Sequence, residues 1–244
     1  MELRIFLLSD VHYGKKTLGY NDTIAAHKTK TYLSKMEDGD CLVMLGDMVD
    51  GTCIFKTQAG EQTIQSVEQQ CQELASIVGS ALQGKEISIF GVIGNHGRSL
   101  SNDETDNWDT VFYRYLEDET SKKILSSFRE EYIIRNLQLP NGKSMLITHG
   151  SDFSMSNGIV PWFAIINRVT RWKSIFTNTN LYAFGHFHSS GVLEVGNLYI
   201  VANGSFVSSD AWALRKFGYV SNGSQVILNV EEETSVNSEF FRPV

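Results

Sequence analysis

A chain of 244 residues with 42% hydrophobic and 20% charged residues is long enough for one large α/β domain with a full core and short for two. Its formal net charge of −7 gives no general attraction to phosphate polymers and sets a dedicated nucleic-acid-binding module aside. Three cysteines without metal-type spacing (Cys41, Cys53 and Cys71) fit reduced thiols in the core of a cytoplasmic protein. No apolar stretch approaches the roughly 18 residues of a membrane span, and Leu3 to Leu8 is too short for a signal peptide.

In chain order, Leu3 to Leu8 reads as a first buried strand, and Asp10 and His12 leave it on one face. Lys15 and Lys16 follow in what reads as a solvated loop. Asn21 to Met36 has helical spacing, with His27 on its surface. Cys41 to Leu45 is a second buried strand, ending in Gly46, Asp47, Met48, Val49 and Asp50, so Asp47 stands at its carboxyl end, where open α/β sheets place their chemistry. After a loop over 51–60, the spacing predicts a helix from Glu61 to Leu82. Glu86 to Ile93 is a third strand, and Gly94-Asn95-His96-Gly97-Arg98 forms a tight exit from it.

A covering helix is expected over Asp103 to Phe128. Tyr132 to Leu139 and Lys143 to Thr148 then form a hairpin about Pro140-Asn141-Gly142, and the second of these strands ends in His149. Val160 to Phe176 is a helix with an apolar stripe and a basic edge. Leu181 to Phe184 is a strand that exits through Gly185, His186, Phe187 and His188. Val192 to Val195 pairs with Leu198 to Val201, Asn203-Gly204-Ser205 is a turn, and Arg215 to Val220 pairs with Gln225 to Val230. One domain over 1–231 is expected, with 232–244 as a frayed acidic tail.

Five of the six histidines follow predicted strands, each attended by Gly, Asp or Asn, a placement that scattered core histidines would not adopt. Asp10-x-His12, Gly46-Asp47-x-x-Asp50, Gly94-Asn95-His96, His149 and Gly185-His186-x-His188 together resemble the five ordered blocks of calcineurin-like metallophosphoesterases. These blocks span about three quarters of the chain and are specific jointly rather than singly. The run through Asn107-Trp108-Asp109 and Asn203-Gly204-Ser205 is similar to small phage and bacterial members.

The resemblance implies a four-layer α/β/β/α sandwich of two mixed sheets flanked by helices. It implies a first divalent metal on Asp10, His12 and His188, a second on Asn95, His149 and His186, and Asp47 between them. Mixed Asp, Asn and His donors suit manganese, with iron, zinc or nickel as alternatives, better than calcium. Two such metals about 3.5 to 4 Å apart can bind both phosphoryl oxygens and hold an attacking hydroxide in line. His96 would then protonate the leaving oxygen and Asp50 would orient it. The family's protein phosphatases carry Arg after the second Asp and Glu after Asn-His, whereas Gly51 and Gly97 stand here; Arg98 is the candidate replacement for contacting phosphate. The expected activity is hydrolysis of phosphodiesters in nucleotides, cyclic nucleotides or short nucleic acids. A phosphomonoesterase acting on protein or small metabolites is the second reading, and a non-catalytic scaffold is a third, disfavoured because no ligand position is lost.

Overall fold

A computed structural model describes residues 2–52, 54–55, 58–98, 107–124, 133–154, 160–207, 221, 223–231 and 236–242. Three strands, β1 (Leu3–Leu8), β2 (Cys41–Met44) and β3 (Ser88–Gly91), run parallel, with Ile5 opposite Cys41 and Cys41 opposite Ser88. On the far side of β1, β9 (Gln225–Val230) and β10 (Val236–Phe241) add antiparallel, so the sheet order is β10-β9-β1-β2-β3. The second sheet has order β4-β5-β6-β8-β7, made of β4 (Ile134–Gln138), β5 (Ser144–Thr148), β6 (Thr179–Phe184), β7 (Gly191–Val195) and β8 (Leu198–Ala202). In it β5, β6 and β8 are parallel, and β4 and β7 close the edges antiparallel.

The near-continuous apolar runs in β1, β2 and β6 arise because both faces of each strand are covered. From β1, Ile5 and Leu7 enter the layer between the sheets, where they join Val43, Leu45, Met145, Ile147 and Ala183. Phe6 and Leu8 face the other way, beneath α1 (Asp22–Leu33), α2 (Val67–Leu82) and α3 (Trp108–Thr120). On the opposite side, Leu146, Tyr182, Phe184 and Ile200 pack under Ile165 and Val169 of α4 (Trp162–Ile175). The result is the expected α/β/β/α sandwich, with the carboxyl ends of β1, β2 and β3 brought to those of β5 and β6.

Several boundaries differ from those read in the sequence. The helix expected from Glu61 begins at Val67, because the Ser66 hydroxyl accepts from the Gln69 amide and caps it there, while Gln58–Glu61 makes a separate 3-10 turn. The Asn107 side chain starts α3, later than Asp103, and Ser121 ends it in a left-handed conformation, earlier than Phe128. Residues 103–106 and 125–128 of that expected helix, and the expected strand 215–220, lie outside the described residues.

The expected frayed tail is corrected by β10, which pairs along the whole of β9 from Val236 opposite Val230 to Phe241 opposite Gln225. Its side chains are mostly exposed and do not alternate by polarity, so only the backbone ladder with β9 reveals it. Phe241 is buried against Tyr32 with ring centroids 5.1 Å apart.

Candidate metal centre

The strands deliver their exits into one buried cluster. Asp10, His12, Asp47, His186 and His188 all have positive φ, between 47° and 71°, a conformation that costs non-glycine residues on the order of 1–3 kcal/mol each. Such strain persists only where surrounding structure holds it, and here the holding bonds are visible. The Asp10 amide donates to the Gly46 carbonyl and the His12 amide to the Asp47 carbonyl, both at 3.0 Å. The His186 amide donates to Asp10 Oδ2 at 2.9 Å, and the His96 amide to Asp47 Oδ1 at 2.7 Å. Gly94 is required by close approach, since a Cβ there would collide with the Asp47 carboxylate.

Among the described residues, three groups of donor atoms each converge within 4.8 Å: Asp10 with His12 and His188, Asp47 with His149 and His186, and His12 with Asp50 and His96. In the first, His12 Nε2 lies 3.0 Å from His188 Nε2, and Asp10 Oδ1 lies 3.4 Å from His188 Nε2. In the second, His149 Nε2 is 3.1 Å from Asp47 Oδ2 and 3.0 Å from Asn95 Oδ1. Asp47 Oδ2 is also 4.0 Å from His12 Nε2, which sets this carboxylate between the two groups. Donors that share one cation at about 2.0–2.2 Å present such separations across an edge of its coordination shell, so the residues fit a pair of divalent cations.

The imidazoles are also oriented for ligation. His149 Nδ1 bonds the Leu45 carbonyl at 2.7 Å, which turns Nε2 toward Asp47 and Asn95. Burial alone would lower the pKa of His149, but the charges of Asp47 and Asp10 raise it to about 10, so a proton and a cation compete for Nε2. For Asp47, burial favours the neutral form, but the charges of His149 and His96 outweigh it and hold the carboxyl well below the usual range. Burial, together with the charge on His96, lowers His12 to about 4.

Asp50 does more than the sequence suggested. Its Oδ1 lies 3.3 Å from both His96 Nδ1 and His12 Nδ1. Burial lowers the pKa of His96, yet the charges of Asp47 and Asp50 raise it overall. One carboxylate therefore faces two imidazoles, one with its pKa lowered and one with its pKa raised, whose rings meet edge to face at 4.3 Å. Lys15, read from sequence as solvated, is buried, and its charge helps keep Asp50 ionised; Lys16 is exposed. Arg98 is exposed, and its Nε donates to the Asn95 carbonyl at 3.2 Å.

Other positioning groups carry no signal in the strand-exit motifs. The buried Asp109 carboxylate accepts the backbone amides of Asp47 at 2.9 Å, Met48 at 3.0 Å and Gly94 at 2.8 Å, tying the exits of β2 and β3 together. Burial and the charge of Asp47 push its pKa up to about 6 despite those donors. Asn107 adds a bond from Nδ2 to the Gly94 carbonyl at 2.7 Å. At the other exit, Ser205 Oγ donates to the Asp10 carbonyl at 2.6 Å, and Asn203 Nδ2 to Ser9 Oγ at 3.0 Å. The Asn107-Trp108-Asp109 and Asn203-Gly204-Ser205 patterns were visible in the sequence; the bonds that give them a role join residues far apart in the chain. Asp109→Ala is expected to weaken metal affinity about 10–100-fold, the usual effect of removing a partner behind a ligand. Calorimetric titration with manganese checks this, and unchanged affinity in a folded variant would remove Asp109 from the support of the centre.

Two mixed sheets with paired carboxylate and imidazole groups at their facing strand ends define a fold and site suited to metal-assisted phosphoester chemistry. A family model described as calcineurin-like phosphoesterase matches residues 3–204, and the chain belongs to that family. Its members bind a dinuclear divalent metal site, and the family implies metal-dependent phosphoester hydrolysis, although some members are non-catalytic.

No curated protein sequence matches the chain. Among solved structures, vacuolar protein sorting 29 from Cryptosporidium parvum is similar at 12% identity and a TM-score of 0.50, covering 98% of this chain and 97% of that one. A conserved uncharacterized protein of Streptococcus pneumoniae, described as a predicted phosphoesterase, is similar at 12% identity and a TM-score of 0.49, covering 99% of this chain and 90% of that one. A novel archaeal phosphodiesterase is similar at 13% identity and a TM-score of 0.49, covering 98% and 99%. At these identities the likeness concerns the fold alone. No helix among the described residues is long and apolar enough to cross a membrane.

Proposed function

We propose that this protein is a two-metal phosphodiesterase acting on nucleotides, cyclic nucleotides or short nucleic acids. In this reading Asp10, His12 and His188 hold one cation, Asn95, His149 and His186 hold the other, and Asp47 serves both. The donor separations of 3.0–3.9 Å among Asp10, His12 and His188, and of 3.0 Å and 3.1 Å from His149 Nε2 to Asn95 and Asp47, support the assignment. Manganese fits this mixed oxygen and nitrogen set, with iron, zinc or nickel as alternatives. Cations bound there would supply Lewis-acid charge to the phosphoryl oxygens and lower the pKa of water.

The chain's own residues do the rest. His96, with Nδ1 facing Asp50, has Nε2 left to give a proton to the leaving oxygen, and the charges of Asp47 and Asp50 favour its protonated form. Asp50 holds that imidazole in place and stabilises its charge. Arg98 is the proposed additional phosphate contact. The completeness of both donor groups favours catalysis over a scaffold role.

The observation that carries the diester reading is Gly51. Its φ of 70° and a collision between any Cβ and the His96 carbonyl exclude a side chain where the family's protein phosphatases place an arginine. A monoester dianion brings one more negative charge than a diester and loses more when a charge-assisted bidentate bond is missing. Diesters are therefore expected to show the higher kcat/KM when a monoester and a diester share p-nitrophenol as leaving group. A clear monoester preference would move the assignment to a phosphatase.

A further inference from the structure

We infer that Phe55, beside His96, forms a stacking subsite for the nucleobase carried by the leaving alcohol, an inference that rests on the phosphodiesterase reading. The Phe55 ring centroid lies 4.8 Å from that of His96 with the planes tilted by 48°, and the residue is 42% exposed. Phe187 also packs on an imidazole of the centre, at 5.6 Å from His186, but it is fully buried and belongs to the core. Phe55 instead presents an apolar face to solvent at the edge of the chemistry.

That face is held in place. The buried Gln58 accepts the Ile54 amide at 2.9 Å and the Phe55 amide at 3.2 Å through Oε1, and its Nε2 donates to the Asp50 carbonyl. The Gln58 amide returns a bond to the Phe55 carbonyl at 3.1 Å. The same stretch of chain that aims His96 through the Asp50 carboxylate thus positions Phe55 through the Asp50 backbone. His96 serves the leaving oxygen, so the group attached to that oxygen lies on the His96 side, within reach of the ring. Every nucleobase has a flat π-face, and stacking on an aromatic side chain is tolerant of base identity. The subsite therefore takes an aromatic leaving group with little discrimination among bases.

The test compares two diesters that yield the same product, thymidine 3′-phosphate. One is the dinucleotide thymidylyl-thymidine, and the other is the methyl ester of thymidine 3′-phosphate; both release primary alcohols, one with a base and one without. Phe55→Ala in the manganese-loaded protein is expected to lower kcat/KM for the dinucleotide on the order of 10-fold more than for the methyl ester, whereas Phe55→Tyr keeps the wild-type ratio. An equal loss on both substrates, or no loss on either, overturns the subsite. If the wild type cleaves neither diester, the phosphodiesterase reading fails, and equilibrium binding then decides the subsite separately. Thymidine 5′-phosphate should bind Phe55→Ala about 10-fold more weakly relative to methyl phosphate, and an unchanged ratio overturns the proposal.

Discussion

His96→Ala is expected to bind its metals as the wild type does and to lose on the order of 10² to 10⁴-fold in turnover on a diester whose leaving group is a ribose hydroxyl. The geometry separates these two effects. His96 Nδ1 faces Asp50, its ring meets that of His12 edge to face at 4.3 Å, and its backbone amide donates to Asp47, a bond that alanine preserves. What the substitution removes is the proton for a leaving oxygen that departs poorly as an alkoxide. A p-nitrophenyl ester, whose leaving group needs no proton, should be far less affected. Measuring both substrates in the variant with metal content matched to wild type checks this. Unchanged turnover on the ribose ester would remove His96 from the chemistry, and lost metal would reassign it as a ligand.

Asp47→Asn should weaken both metal sites at once, by more than the roughly 10–100-fold that loss of a surrounding partner costs. Asp47 Oδ2 lies 3.1 Å from His149 Nε2 and 4.0 Å from His12 Nε2, so one oxygen is placed to serve both donor groups. An amide keeps the shape and can still accept the His96 amide, but it loses the negative charge that screens two cations from each other. Titration of the variant with manganese should show both binding steps weakened. Retention of two tight sites with full activity would contradict the bridging role, and loss of one site alone would place Asp47 in a single donor group.

The strand exits were legible because their physics is local. An apolar run covered on both faces must stop where polar residues begin, and Gly46, Gly94 and Gly185 mark chain turning sharply at close quarters: a Cβ at Gly94 or Gly185 would meet the Asp47 or Asp10 carboxylate. The motif residues Asp10, His12, Asp47, Asn95, His149, His186 and His188 do meet in space, and Asp50 lies 3.3 Å from His96, the pairing that the family resemblance implied. Residues whose roles depend on distant partners were not legible. Asp109 sits on a helix that reads as simple covering, and its importance lies in three backbone amides from two other segments. The second contact of Asp50, to His12, and the burial of Lys15 have the same origin. The strand β10 was hidden because an exposed edge needs no hydrophobic pattern; its order comes from the ladder with β9.

The most direct test of the whole account is the metal stoichiometry of the wild-type protein. Stripped with chelator and titrated calorimetrically with manganese, it should take up about two equivalents per chain, because Asp10, His12 and His188 converge as one donor group and Asp47, His149 and His186 as another, with Asp47 Oδ2 4.0 Å from His12 Nε2. Uptake that stays below one equivalent would contradict the dinuclear centre and the mechanism built on it.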